Sequence, residues 1–291
     1  MTVRGTTRVV GVFGAPVRHS CSPAMHNAAF AALGLDFIYV PFEVPPEQLS
    51  TAVSAVAALG MPGVNVTIPH KGAVAGLVDE LDESAAVLAA VNTICSRHGR
   101  LIGYNTDAEG FARSLEEAGE SVRGADVAII GAGGGARAVA WAVAGRGARS
   151  IVLVGRTPPK AEAVAALVNR ATGSQIARAV PLASEGEESV RQSDVVIDTT
   201  SVGMHPHVDV PPVIPPNWIC AHQLVVDIVY SPADTVLLRA ARQRGARTVS
   251  GLGMLVHQGA IAFEMWTSQT APVVTMRQAL TEALATLGAE G

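Results

Sequence analysis

A run of small residues at 131–136, GAGGGA, carries the clearest chemical signal in the chain. It satisfies the G-x-G-x-x-G/A pattern, with a predicted strand at 126–131 before it and a predicted helix at 136–145 after it. Such glycines permit a tight turn and a close approach of the backbone to a pyrophosphate, and N–H groups at the helix start attract the phosphates. A glycine-rich linker would lack the flanking strand and helix. The context therefore predicts a dinucleotide site.

The residues after the next predicted strand indicate which dinucleotide binds. Strand 151–154 runs into Gly155, Arg156 and Thr157, and the next carboxylate is Glu162. An NAD-selective site has an acidic residue at this place, which accepts hydrogen bonds from the ribose 2′-hydroxyl. A guanidinium pairs instead with a phosphate, such as the 2′-phosphate of NADP. A solvated loop arginine is the alternative, but the pattern favours NADP over NAD.

Polar residues in the first third of the chain form a second candidate site. Ligand sites of α/β proteins gather at the ends of strands, where most of these residues fall. A lysine ammonium can donate a proton to a carbonyl oxygen and stabilise its negative charge. Taken singly, the residues also have structural interpretations, as helix caps or turn residues. The set comprises Ser20 and Ser22 on either side of Cys21, Asn65 and Thr67 on one predicted strand, then Lys71, Asn92 and Asp107.

Strand-length apolar runs alternate with alanine-rich helical segments, which is typical of α/β proteins with mainly parallel strands. The first block predicts strands at 8–13, 37–42, 63–68, 91–95 and 101–104, and helices at 23–33, 46–59, 71–78 and 83–90. The second block predicts strands at 126–131, 151–154, 177–180, 195–198 and 225–229, with helices at 136–145, 159–171 and 232–245. The proline-rich segment 203–217 is predicted to be a loop, and the chain beyond residue 250 to be helical.

Composition excludes several classes of protein. The chain has 291 residues, of which 49% are hydrophobic and 16% charged, and its net charge is −4. These values exclude a disordered chain and argue against nucleic acid or an anionic membrane as a partner. The three cysteines are far apart, no run of about 20 apolar residues occurs, and no signal-peptide pattern is present. A cytoplasmic protein is therefore predicted.

Histidines and tryptophans give no functional signal. The eight histidines form no HxxxH or HExxH pattern, so no metal site is predicted. Seven of them are expected to be surface residues or buried residues with hydrogen-bond partners. The eighth, His70, is the neighbour of Lys71 and is expected to point elsewhere. Trp141 and Trp266, on alanine-rich segments, are expected to be packing residues.

Six motifs, in order, resemble those of the shikimate dehydrogenase family and together cover nearly the whole chain. They are SCSP at 20–23, NVTIPHK at 65–71, AVNT at 90–93, GYNTD at 103–107, GAGG at 131–134 and GLGML at 251–255. One such motif would be weak, but six in family order are specific. Two positions depart from the family, which commonly has asparagine where Gly155 stands and a basic residue where Cys21 stands.

The resemblance implies roles for individual residues. It implies a catalytic pair, Lys71 and Asp107. It also implies substrate contacts from Ser20, Ser22, Thr67, Asn92, Asp107, Tyr230 and Gln258. The implied cofactor contacts are Gly131, Ala132, Gly133, Gly134, Gly135, Arg156, Thr157, Ile228 and Gly251, with Glu83 as a weaker one.

The same resemblance implies two domains and a reaction. An N-terminal α/β substrate domain, 1–107 completed by 251–291, would face a Rossmann-like NADP-binding domain, 108–250, across an active-site cleft. The reaction would be the NADP-dependent reversible reduction of 3-dehydroshikimate to shikimate, a step of aromatic amino acid and chorismate biosynthesis. Alternatives are a quinate or aminoshikimate dehydrogenase, or a dinucleotide sensor without turnover, although a sensor has no need of Lys71 and Asp107. A monomer or homodimer is expected, with a small-molecule substrate and no nucleic-acid or membrane partner.

Overall fold

Two compact units make up the chain. The computed structural model describes residues 3–289, and the side chains of residues 3–286. One unit runs up to Thr106 and resumes at Val256, and the second is Asp107–Leu255. The outer ends of the predicted substrate domain, residues 1, 2, 290 and 291, lie outside the described residues. No helix among the described residues is long and apolar enough to cross a membrane.

The first unit contains a mixed six-stranded sheet. Its strands lie in the order β2-β1-β3-β5-β6-β4, with β1 parallel to β2 and β3, and β5 antiparallel to β3 and β6. The strands are β1 (Arg8–Gly14), β2 (Phe37–Glu43), β3 (Gly63–Val66), β4 (Glu80–Leu81), β5 (Thr93–Arg97) and β6 (Arg100–Tyr104). The helices are α1 (Ser22–Ala32), α2 (Leu49–Ala58) and α3 (Glu83–Leu88).

Aromatic packing joins the C-terminal helices to this sheet. The helices α9 (Leu252–Thr267) and α10 (Val273–Ala289) follow the second unit in the chain, and α10 packs against α1. Phe263 on α9 stacks on Phe30 of α1, with ring centroids 5.2 Å apart. The buried Trp266 donates its indole N–H to the carbonyl of Ile94 at 3.1 Å. Trp266 is thus a packing residue, as the sequence predicted.

The second unit is a wholly parallel six-stranded sheet in the order β12-β11-β10-β7-β8-β9. This is the doubly wound order of a Rossmann domain, read from one edge. The strands are β7 (Asp126–Ile130), β8 (Ser150–Gly155), β9 (Ala177–Pro181), β10 (Val195–Asp198), β11 (Leu224–Asp227) and β12 (Arg247–Ser250). The helices are α4 (Asp107–Glu117), α5 (Gly134–Gly145), α6 (Pro158–Thr172), α7 (Ser184–Gln192) and α8 (Val236–Gln243). The predicted fold class is confirmed.

Several predicted elements differ from the observed ones. The strand predicted at 63–68 ends at Val66, so Thr67 lies in the following turn, and the helix predicted at 71–78 is a single 3₁₀ turn, Ala73–Gly76. The helix predicted from 232 begins at Val236 because Thr235 caps it by accepting from the Leu238 N–H. The sequence did not predict helix α7. Its buried residues are Gly186, Ser189 and Val190, and they produce almost no helical periodicity of apolar residues.

Candidate active site

The two predicted substrate serines lie in the turn that opens α1. Ser20 is half-buried, and its hydroxyl accepts a hydrogen bond from the Ser22 N–H at 3.3 Å. The N-cap of α1 is Cys21, without a side-chain cap bond, so the interpretation of Ser22 as a helix cap is wrong. The Ser22 hydroxyl acts to lower the pKa of the Tyr39 phenol, although burial is the larger effect and raises it. Cys21 is buried, and burial raises the pKa of its thiol.

A buried polar network continues inward from these serines. The Tyr39 phenol donates to the Asn65 side-chain carbonyl at 2.8 Å, and the Asn65 amide donates to the Thr93 hydroxyl at 3.0 Å. Tyr39 is 1% exposed, and burial raises the pKa of its phenol. Both the carbonyl and the amide of the Asn65 side chain thus form hydrogen bonds with other buried polar residues. Sequence reasoning missed Tyr39 and Thr93, because their partners are distant in the chain.

Asn92 ends this network beside the start of α4. Its side-chain carbonyl accepts from the Thr106 N–H at 2.8 Å, and its amide donates to the Thr106 hydroxyl at 3.0 Å. Asp107, half-buried, is the next residue in the chain and the first of α4. Lys71 is also half-buried, and its carbonyl accepts from the N–H of Val91, the neighbour of Asn92. The backbone of the first unit therefore brings Lys71 and Asn92 together.

Thr67 is held in the turn after β3. Its N–H donates to the carbonyl of Phe13 on β1 at 2.9 Å, and its carbonyl accepts from the His70 N–H at 2.9 Å. His70 itself is buried, and its ring nitrogen Nε2 lies 2.7 Å from the Val44 carbonyl oxygen. The His70 ring is thereby engaged away from Lys71, as the sequence predicted.

In the second unit, the glycine run forms the turn between β7 and α5. Gly131 has φ of +108°, a conformation that side-chain-bearing residues rarely adopt. Gly133 is the N-cap of α5, and both Gly133 and Gly134 are exposed, with no atom within 4 Å of an added Cβ. The backbone N–H groups at the start of α5 are therefore accessible to an anion.

The residues predicted to select NADP lie at the end of the neighbouring strand β8. Arg156 and Thr157 are exposed, and Thr157 is the N-cap of α6. Gly155 is buried, and a Cβ there would lie 3.3 Å from the Cβ of Ala161. A side chain at this position would therefore pack tightly against α6.

Two further predicted cofactor residues come together beside the glycine turn. A Cβ on Gly251 would lie 2.1 Å from the carbonyl oxygen of Ile228, so only glycine fits there. The Ile228 side chain packs against Gly135, since a Cβ on Gly135 would lie 2.7 Å from its Cδ1 atom.

The remaining predicted site residues are dispersed. Tyr230 is half-buried in the segment after β11, and Gln258 is half-buried on α9. Glu83 is exposed at the start of α3, in the first unit. Within the described residues, no group of three or more His, Cys, Asp or Glu side chains could hold a metal ion.

A doubly wound sheet with a glycine turn and an arginine after the second strand defines a dinucleotide-binding protein. Three family models match: "Shikimate dehydrogenase substrate binding domain" over 12–94, "Shikimate / quinate 5-dehydrogenase" over 113–211, and "Shikimate 5′-dehydrogenase C-terminal domain" over 251–281. These matches, together with relatives that are similar over almost their whole length, show that the chain belongs to the shikimate dehydrogenase family.

The relatives resemble the chain over almost its whole length. Shikimate dehydrogenase (NADP(+)) of Methanopyrus kandleri is 49% identical over 98% of each chain. A crystal structure of shikimate dehydrogenase in complex with NADP⁺ is 39% identical, with a TM-score of 0.92 over 97% of this chain and 98% of that one. Quinate dehydrogenase from Corynebacterium glutamicum, in complex with NAD, is 32% identical, with a TM-score of 0.89 over 95% of this chain and 99% of that one.

Proposed function

We propose that this protein catalyses the NADP-dependent reversible reduction of 3-dehydroshikimate to shikimate. The observation that carries the proposal is the arginine at the end of β8, in place of a carboxylate, beside an exposed glycine turn. The relative named shikimate dehydrogenase (NADP(+)), 49% identical, supports the same substrate and cofactor.

The substrate carboxylate is held by hydroxyl groups of the first unit. Ser20 and Ser22 lie on either side of Cys21 at the start of α1 and offer two donors without a second strong cation. The buried Tyr39–Asn65 network lies next to these serines in the first unit. Thr67, Asn92, Tyr230 and Gln258 contact the ring hydroxyls.

Lys71 and Asp107 carry out the proton chemistry. In the reducing direction, the Lys71 ammonium stabilises the negative charge that develops on the ketone oxygen and donates a proton to it. In the oxidising direction, the neutral lysine accepts the hydroxyl proton. Asp107 orients Lys71 and accepts a hydrogen bond from a substrate hydroxyl. Asp107 therefore serves orientation and binding, while Lys71 carries the proton.

The second unit fits NADP. The exposed N–H groups behind Gly133 and Gly134 bind the pyrophosphate, while Arg156 and Thr157 bind the 2′-phosphate. Gly131, Ala132, Gly135, Ile228 and Gly251 form the walls of the site, with Glu83 as a weaker contact. When bound, the reduced nicotinamide supplies the hydride.

Residues 1–107 with 251–291 are proposed to form the substrate domain, and 108–250 the dinucleotide domain. The family match over 12–94, described as a substrate-binding domain, supports this division. We also propose a cytoplasmic monomer or homodimer without a nucleic-acid or membrane partner, which the small net charge of −4 supports. Light scattering at several concentrations tests the oligomeric state.

Quinate is the second candidate substrate, because the quinate dehydrogenase of C. glutamicum has the same fold at 32% identity. Steady-state assays of purified protein with shikimate or quinate, each with NADP or NAD, test both candidates. We expect the highest kcat/KM for shikimate with NADP. A higher kcat/KM for quinate, or for NAD, would overturn the proposal.

A further inference from the structure

Two buried carboxyl groups lie side by side in the second unit, outside the residues assigned above. Asp198 is the last residue of β10 and Asp227 the last of β11, and the two are register partners in the parallel sheet. Register partners on neighbouring strands point to the same face, with their strands about 4.8 Å apart. Asp198 is 2% exposed and Asp227 1% exposed.

Each carboxyl group accepts hydrogen bonds from the loop that follows its own strand. Asp198 accepts a hydrogen bond from the Thr200 N–H at 2.8 Å. Asp227 accepts from the Val229 N–H at 2.9 Å and from the Thr235 hydroxyl at 2.7 Å. Since Thr235 is also the N-cap of α8, Asp227 fixes both ends of the segment between β11 and α8.

These loops form walls of the proposed NADP site. The loop after β10 begins with Thr199, whose hydroxyl donates to the carbonyl of Ile130, directly before the glycine turn, at 2.7 Å. The segment after β11 carries Ile228, which packs against Gly135 and against Gly251. A shift of either loop therefore moves atoms that line the cofactor.

The pair is electrostatically costly when both groups are ionised. Burial raises the pKa of both carboxyl groups, and the negative charge of Asp198 helps to raise the pKa of Asp227 to about 7. Hydrogen bonds from Thr200, Thr235 and Val229 act in the opposite direction but do not outweigh burial. Two adjacent carboxylates buried in this way favour a state in which one keeps its proton.

The charged and titratable groups of the surrounding elements do not neutralise the negative charge of the two carboxyl groups. The outer register neighbours, Ile130 on β7 and Ser250 on β12, are uncharged. In the segment after β11, Asp234 is exposed and forms ion pairs with arginines on α8. His205, in the loop after β10, and Arg137, on α5, contribute to the pKa of neither carboxyl group. The α8 arginines are Arg239 and Arg242.

We propose that one of the adjacent carboxyl groups, Asp198 or Asp227, keeps its proton below neutral pH and that the pair positions the walls of the cofactor site, so that NADP binds more tightly when the pair is singly protonated than when both groups are ionised. The inference rests on the proposed function, because it assumes that NADP occupies this site. When the pH rises through neutrality, repulsion between the two carboxylates displaces the loops, and the affinity for NADP falls.

The test compares the pH dependence of NADP binding in the parent protein and in Asp198→Asn. The asparagine keeps a carbonyl that can accept from the Thr200 N–H but carries no charge. Between pH 6 and pH 8.5 we expect the KM for NADP, and its Kd from fluorescence titration, to rise about three- to tenfold in the parent. In Asp198→Asn both should stay within about twofold. Titration of the NADP 2′-phosphate is the same in both proteins and cancels in the comparison.

Asp234→Asn is the matched control, because it removes an exposed carboxylate from the segment after β11 and should keep the parent's pH dependence. An equal rise in KM in the parent and in Asp198→Asn would overturn the inference. If Asp198→Asn does not fold, Asp227→Asn provides the same comparison. Carboxyl carbon NMR of the parent gives an independent answer, and an ordinary aspartate pKa for both groups would overturn the inference.

The outcomes for the inference and for the proposed function are distinguishable. Absence of shikimate turnover at every pH would refute the proposed function, while the NADP titrations would still decide whether the pair controls affinity. Normal turnover with unchanged pH dependence in Asp198→Asn would refute only the inference. If NADP does not bind at all, the NMR titration decides whether one carboxyl group of the pair keeps its proton near neutral pH.

Discussion

Replacing His26 with phenylalanine should remove much of the acid sensitivity of the first unit. His26 lies on α1, is 0% exposed and stacks on the Tyr39 ring with centroids 4.4 Å apart. Both of its ring nitrogens lack a hydrogen-bond partner among the described residues, contrary to the expectation that buried histidines would be satisfied. Burial disfavours the charged imidazolium and lowers the His26 pKa to about 3.

The magnitude follows from the difference between the folded and unfolded pKa values. The unfolded chain takes up a proton at His26 below its ordinary value of 6.5, whereas the folded protein takes it up only near 3. Stability is therefore lost as the pH falls through this window. Since one pKa unit corresponds to about 1.4 kcal/mol, the loss between pH 7 and pH 4.5 is about 2.5 kcal/mol. His26→Phe does not titrate, so it should lose that much less.

Urea unfolding at pH 7 and at pH 4.5, followed by tryptophan fluorescence, measures this difference. Trp266 lies 5.6 Å from the His26 ring and reports on the same unit. At pH 7 the variant should be no less stable than the parent, because phenylalanine removes two unpaired buried nitrogens. The His26 side chain is fully buried, so the smaller His26→Leu guards against overpacking by phenylalanine.

The exposed His19 provides the matched control, since His19→Phe removes an imidazole that is hydrated in both states. The stability that His19→Phe loses between pH 7 and pH 4.5 should equal the loss of the parent. Asp227 titrates in the same pH window. Because Asp227 lies in the other unit, its contribution to the change in stability is the same in parent and variant and cancels. If the acid losses of parent and His26→Phe differ by less than about 0.7 kcal/mol, the burial argument for His26 fails.

Three further predictions address the proposed site. Arg156→Ala should raise the KM for NADP about 10- to 150-fold, because a charge-assisted contact contributes about 1.5–3 kcal/mol. The same change should alter the KM for NAD far less. An unchanged preference for NADP over NAD would exclude the contact between Arg156 and the 2′-phosphate. Ser20→Ala and Ser22→Ala should each raise the KM for shikimate and not that for NADP, and Ser22→Ala should leave helix stability nearly unchanged because Ser22 is not a cap; normal shikimate KM values in both would count against the carboxylate site. Lys71→Met should lower kcat by about 10²–10⁴-fold with a smaller change in KM, and activity within about threefold of the parent would remove Lys71 from the chemistry.

Short-range patterns predicted the second unit well. The glycine turn, the buried strands and the arginine after β8 each follow from residues that are close in the chain, so periodicity and local motifs report them. The strand predicted at 195–198 agrees with β10 in both bounds, and that predicted at 126–131 extends one residue beyond β7. Strand order in a parallel sheet then follows from the doubly wound fold.

Long-range pairing accounts for what the sequence did not predict. Tyr39, Asn65 and Thr93 form one buried network although 26 and 28 residues separate Asn65 from its two partners. Asp198 and Asp227 become neighbours only when β10 and β11 pair. Apart from Asn65, residue types alone gave no reason to distinguish these polar residues from exposed ones, because burial depends on elements far away in the chain.

The two units present different chemistry to their proposed ligands, and this difference explains why the substitutions above should separate. In the first unit, the buried Tyr39–Asn65–Thr93 network supports neutral hydroxyl and amide donors, which suit a ligand with one carboxylate and several hydroxyl groups. In the second unit, exposed backbone N–H groups and a guanidinium offer positive charge without a carboxylate nearby in the chain, which suits phosphates. A change at the serine pair or at Arg156 should therefore alter the KM of one ligand and leave that of the other nearly constant. Only a change at Lys71, which is proposed to act on the reacting oxygen, should alter kcat more than either KM.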